Sequence, residues 1–128
     1  MFNWRRPDNL GVTNGRLAPC RRTPNCVSSQ ADPGDREHYI AAIPFRGDAM
    51  AAVRRAVAAM PRAMVISEKE NYLYAEFRSK LLGYVDDVEF FYDGAAIQVR
   101  SASRLGRRDF SVNRNRVEQL RALITQRP

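Results

Sequence analysis

The densest group of acid and base side chains in the chain is Asp86-Asp87-Val88-Glu89, the place where a proton-transfer pair or a divalent metal would have to be sought. On a strand, successive side chains point to opposite faces, so Asp86 is separated from Asp87 and Glu89, which share a face. A hairpin turn at Asp93-Gly94 would then bring Arg100 opposite one of those carboxylates. A guanidinium beside a carboxylate favours its ionised form, which suits an ion-pair ladder better than a general acid. The polar sheet face expected from this pattern is Glu76, Asp87, Glu89 and Arg100, and no catalytic residue is assigned. An enzyme using Asp87 and Glu89 stays as an alternative that needs those groups freed from arginine.

Other reactive types are sparse. Ser101 and Ser103 lack a glycine-rich nucleophile elbow, and the single His38 offers little to build a triad on. Cys20 and Cys26 read as reduced thiols in a loop or as a small disulfide loop if the domain is exported. Zinc would need about four ligands, so neither a metal nor a cofactor is expected. Arginines do accumulate: Arg104, Arg107, Arg108, Arg114 and Arg116 crowd the start of the final helix, where the macrodipole disfavours cations. Asp109, Asp86 and solvent can answer them. A bound anion can do the same, which makes Arg104, Arg107, Arg108 and Arg114 the candidate anion site.

The elements that must position these groups follow from periodicity. Val88, Phe90 and Tyr92 alternate before Asp93-Gly94, and Ile97, Val99 and Ser101 alternate after it, which marks a hairpin. A two-residue turn pairs Phe90 with Ile97, whereas a four-residue loop sets Glu89 opposite Arg100; a three-residue loop would turn one strand's apolar side outward. Two further strand-like runs lie in 63–66 and 72–78, with Leu73, Ala75 and Phe77 on one face of the second. Asp48 caps a helix whose stripe is Met50, Val53, Val57 and Met60, ended by Pro61. A last helix starts near Asn113 as N-cap, with Val112 and Val117 as a staple and Val117, Leu120, Leu123 and Ile124 as its buried stripe. The expected class is α+β: a four-stranded antiparallel sheet with two helices packed on one face, in the order helix, four strands, helix. An irregular N-terminal arm, residues 1–40, precedes the domain of residues 41–128, pinned by Phe2-Trp4, Leu17-Ala18 and Tyr39-Ile43.

At 128 residues the chain suits one domain, with 45% hydrophobic residues and a formal net charge of +7 carried almost wholly by arginine. No segment approaches the roughly 18 apolar residues of a membrane span, and the N-terminus shows no apolar signal core. Cytoplasmic placement is expected, with envelope association as the alternative if a segment precedes this sequence.

Pro24-Asn25-Cys26-Val27-Ser28-Ser29, Gly83-Tyr84-Val85-Asp86-Asp87-Val88-Glu89-Phe90 and Val99-Arg100-Ser101-Ala102-Ser103-Arg104 occur in that order. On these motifs the chain resembles the bacterial and plastid family called domain of unknown function 1499, from about Leu17 to the C-terminus. The family has no established activity, so the resemblance implies no mechanism. The residues themselves favour a non-catalytic binding or accessory module for an anionic ligand or a protein partner. Nucleic-acid binding, prompted by Tyr72, Tyr74 and Phe91 near arginines, is the less favoured alternative because acids share that face.

Overall fold

The structure is a computed structural model that describes residues 5–81, 83–105 and 111–126. Phe2-Trp4 and the loop residues Gly106, Arg107, Arg108 and Asp109 lie outside the described residues. The elements run β1 (Cys26–Ser28), β2 (Ile43–Pro44), α1 (Ala49–Ala58), β3 (Ala63–Lys69), β4 (Tyr72–Arg78), β5 (Val85–Tyr92), β6 (Ala96–Ser103) and α2 (Val112–Thr125).

The class is α+β with an antiparallel sheet, but the sheet has six strands rather than the expected four, in the order β1-β6-β5-β4-β3 with β2 also on β6. β1 and β2 were missed because three- and two-residue strands are too short to show alternation. They occupy the outer edge of β6: Val27 pairs with Ser101, and Ile43 pairs with Ile97. The element order is therefore strand, strand, helix, four strands, helix, which corrects the expected helix placement. The helices lie against each other as well as against the sheet.

The β5-β6 register decides between the two expected hairpin loops. Tyr92 faces Ile97, Phe90 faces Val99 and Glu89 faces Arg100, as the four-residue alternative requires. Asp93 explains the choice, since its Oδ1 accepts from the amides of Ala95 and Ala96 while Gly94 takes a φ of 99° that other residues resist. Phe90, Val88 and Val99 then point with Leu73, Ala75 and Phe77 into one core, where they meet Val53 and Val57 of α1 and Val117, Leu120 and Ile124 of α2.

Helix α1 begins as expected, with Asp48 Oδ1 accepting from the Ala51 amide at 3.1 Å. The start of α2 differs. Ser111 occupies the N-cap position and Asn113 lies inside the helix, fully buried, with Ser101 Oγ donating to its Oδ1 and its Nδ2 donating to the Asn25 carbonyl. Val112 is exposed, so the expected staple with Val117 is not formed. Asn113 lies in the core because its amide adds bonds to the Ser101 and Ser103 hydroxyls of β6 and to the Asn25 carbonyl ahead of β1, and satisfying buried polar groups outweighs a surface cap.

Candidate functional site

The second face of the sheet carries the site. Alternation on β4, β5 and β6 sends Tyr72, Tyr74, Glu76, Asp87, Glu89 and Arg100 to the side opposite the core, as the strand pattern requires. The centre of that face does not meet solvent: Glu76, Asp87, Glu89 and Arg100 are all buried, Glu89 completely, whereas Arg78 at the end of β4 is exposed. The cover is the N-terminal arm. Leu10, Val12 and Leu17 pack over the rings of Tyr72 and Tyr74, Arg6 Nε donates to Glu76 Oε2 at 2.7 Å, and the Gly11 amide donates to Glu89 Oε2 at 2.7 Å.

Beneath this cover the charges form two groups. In the first, Arg104 donates from Nε and Nη2 to the two oxygens of Asp87 at 2.9 Å and from Nη2 to Glu76 at 2.6 Å, while the Tyr74 hydroxyl lies against both carboxylates. Burial alone would raise the Glu76 pKa, but hydrogen bonds from Arg6, Tyr74 and Arg104 outweigh it and hold the carboxyl down to about 2. In the second group Tyr72 donates to Glu89 Oε2 at 2.6 Å, and Arg100 Nη1 stands 3.8 Å from Glu89 Oε1. Burial pushes Glu89 up against the opposing bonds from Tyr72 and Gly11, and burial pushes Arg100 down. Neither Arg100 Nε nor Glu89 Oε1 has a hydrogen-bond partner among the described residues.

Arg100 also lines a cavity of about 330 Å³ between arm and sheet, whose basic wall is Arg5, Arg21, Arg100 and Arg104 and whose single acid is Asp87. Thr23, Asn25 and Cys26 close it on the loop side. That loop is covalently fixed, because Cys20 and Cys26 form a disulfide and the reading as reduced thiols is set aside. It is also held by His38, whose Nε2 faces the Thr23 carbonyl at 2.9 Å and whose Nδ1 faces Asp35 at 2.7 Å. With acceptors at both ring nitrogens His38 favours the imidazolium: burial lowers its pKa, but the Thr23 carbonyl and Asp35 raise it further, above the ordinary value.

Of the residues expected to bind an anion together, Arg104 is committed to Asp87 and Glu76, and Arg114 donates to the carbonyls of Arg36 and Glu37. Arg107 and Arg108 lie outside the described residues. Arg116, at the same helix start, is answered by Asp86 at 2.7 Å and lies over the Phe77 ring. Arg5 and Arg21 had no sequence signal beyond the Arg5-Arg6 doublet before Pro7 and the Arg21-Arg22 doublet between Pro19 and Pro24, and nothing local says which of those folds over a sheet. Among the described residues no three His, Cys, Asp or Glu side chains converge as a metal site would require. No helix there is long and apolar enough to cross a membrane.

The family described as Protein of unknown function (DUF1499) matches residues 16–124, nearly the whole of the folded unit. The chain belongs to this family. The DUF1499 match takes in the disulfide, all six strands, both helices and Arg21, Arg100 and Arg104, while Arg5 and Arg6 precede it. No curated protein and no solved structure is significantly similar to the chain.

Proposed function

We propose that this DUF1499 protein is a non-catalytic binding module for a small organic anion, held in the cavity between the arm and the charged sheet face. In this reading the arm, residues 1–40, is a working part of the site, and the unit of residues 41–128 supplies its floor. The observation that carries the reading is Arg100: a residue 6% exposed that lines a cavity walled by further arginines, where cations held away from water favour an anion beside them. Charge sets the ligand class. Asp87 and Glu76 neutralise Arg104 and Arg6, and Glu89 neutralises Arg100, which leaves Arg5 and Arg21 to meet about two negative charges. A cavity of about 330 Å³ is within the usual range for small organic ligands, so a phosphomonoester or a dicarboxylate fits better than a bare ion.

The alternatives fare less well. Tyr72 and Tyr74 are buried under the arm and present no ring for a base to stack on, which counts against nucleic-acid reading. Asp87 is engaged by Arg104 and Tyr74, and Glu89 by Tyr72 and Gly11, which counts against catalysis by that pair. Thermal unfolding with phosphomonoesters, dicarboxylates and inorganic phosphate tests the proposal. A ligand at ten times its Kd should stabilise the wild type by about 1.4 kcal/mol. The Arg5→Ala, Arg21→Ala double variant should lose most of that response, and both residues are exposed enough to spare the fold. No response to any anion in the wild type, or an unchanged response in the double variant, would reject the site.

A further inference from the structure

The Cys20–Cys26 bond sits between two cavities of different character. Cys26 is 3% exposed and lines the arginine cavity with Arg21, Arg100 and Arg104. Cys20 is only half-buried and opens on the neighbouring cavity, with Arg16, Ser28, Asp35 and His38. A thiolate beside guanidinium groups has a lowered pKa and is a good leaving group, and exchange begins at the sulfur a thiolate can reach. The loop between the cysteines has its own non-covalent holds as well, the His38 contact to the Thr23 carbonyl and the Asn25 Nδ2 donation to the Leu105 carbonyl at 3.3 Å. Neither hold depends on the covalent link.

We propose that Cys20–Cys26 is a thiol–disulfide exchange site, with Cys20 the attacked sulfur and Cys26 the leaving thiolate, and that opening it weakens anion binding in the adjoining cavity. The co-reactant is a dithiol reductant. Its thiolate attacks Cys20 Sγ, a new S–S bond forms there, and the Cys20–Cys26 bond breaks with its electron pair going to Cys26 Sγ. The second thiol of the reductant, losing its proton, then attacks its own sulfur in the mixed disulfide and expels Cys20 Sγ, which takes up a proton. The protein gains two electrons and the dithiol leaves as a disulfide. Reduction places a negative sulfur among the arginines and unties the loop that carries Arg21, both of which oppose an incoming anion. This consequence rests on the proposed anion site; the exchange chemistry does not.

The experiment uses the full chain, folded and without denaturant. It is equilibrated with dithiothreitol, and its thiols are trapped with maleimide and counted by mass. Cys20→Ser and Cys26→Ser variants are titrated by thiolate ultraviolet absorbance, and phosphate affinity is compared between oxidised and reduced protein. Expected are full reduction with the fold retained, a Cys26 thiolate in Cys20→Ser that titrates below the ordinary value of about 8.5 and rises on adding Arg21→Ala, and a glutathione mixed disulfide on Cys20 in Cys26→Ser. Phosphate binding should weaken about tenfold on reduction, since a unit charge about 4 Å from another is worth roughly fivefold in bulk water and more in a partly buried site. A disulfide that reduces only in denaturant, or a Cys26 thiol that titrates at or above the ordinary value, would overturn the exchange site. Equal phosphate affinity in both states would overturn its coupling to the cavity. If the oxidised protein binds no anion at all, the anion reading fails instead, while the thiol titrations still decide the exchange site.

Discussion

Glu76 is a carboxylate whose neighbours reverse what its burial would do. Arg6 reaches it from the arm, Arg104 from the end of β6 and Tyr74 from its own strand. Because its folded pKa, about 2, lies below the ordinary 4.5, the stability it contributes is fully present above 4.5 and is lost as pH falls through about 2. At about 1.4 kcal/mol per pH unit that is about 3 kcal/mol. Urea unfolding followed from neutral pH into acid should show this loss, and Glu76→Gln should flatten that limb of the curve. An acid limb as steep in Glu76→Gln as in wild type would show that other carboxylates carry it. That Arg100 would meet Asp87 or Glu89 was legible from the hairpin, and the register selects Glu89; the commitment of Arg104 was not legible, because it depends on where the chain turns after β6.

At the scale of elements, β6 and α2 are joined by a buried polar side chain rather than by the expected staple. Asn113 bonds Ser101, Ser103 and the Asn25 carbonyl, so α2, β6 and the residue ahead of β1 meet at one amide. Asn113→Ala would leave those groups unmatched and should cost about 1–3 kcal/mol in denaturant unfolding. Val112→Ala, at an exposed site, should stay within about 0.5 kcal/mol. Equal costs for the two would reverse the assignment of cap and anchor. Sequence reasoning placed α2 and its stripe correctly because a 3.6-residue period is local, whereas Asn113 as cap or as anchor depends on what lies opposite.

For the molecule as a whole, the arm buries the second face of the sheet over β4, β5 and β6, while the edge strand β3 stays largely exposed. Leu17, 4% exposed, is its main apolar anchor over Tyr72 and Tyr74. Leu17→Ala should cost about 2–5 kcal/mol, as for a core leucine. A cost below about 0.5 kcal/mol would mean that the arm rests on the sheet without stabilising it. The formal charge of +7 does not sit bare on the surface: as the sequence allowed, many of the arginines are answered by acids of the fold, Asp86, Asp87, Glu68, Glu76, Glu89 and Glu118, or by backbone carbonyls.

The sequence by itself determined the α+β class, the central hairpin and which side chains share each face, because periods of 2 and 3.6 and the Asp93-Gly94 turn act over a few residues. The family resemblance was legible on the same motifs. Only the tertiary structure decided that a loop rich in proline and glycine contributes strands to the edge of β6, that Cys20 and Cys26 are bonded, and that Arg5 and Arg21 stand beside Arg100. The contacts of the arm with Arg100 join residues far apart in the chain, as the 81-residue separation of Arg100 and Pro19 shows, whereas the disulfide spans only 6. No local pattern encodes such a pairing; it is set by which buried charges must be covered and matched once the sheet has formed.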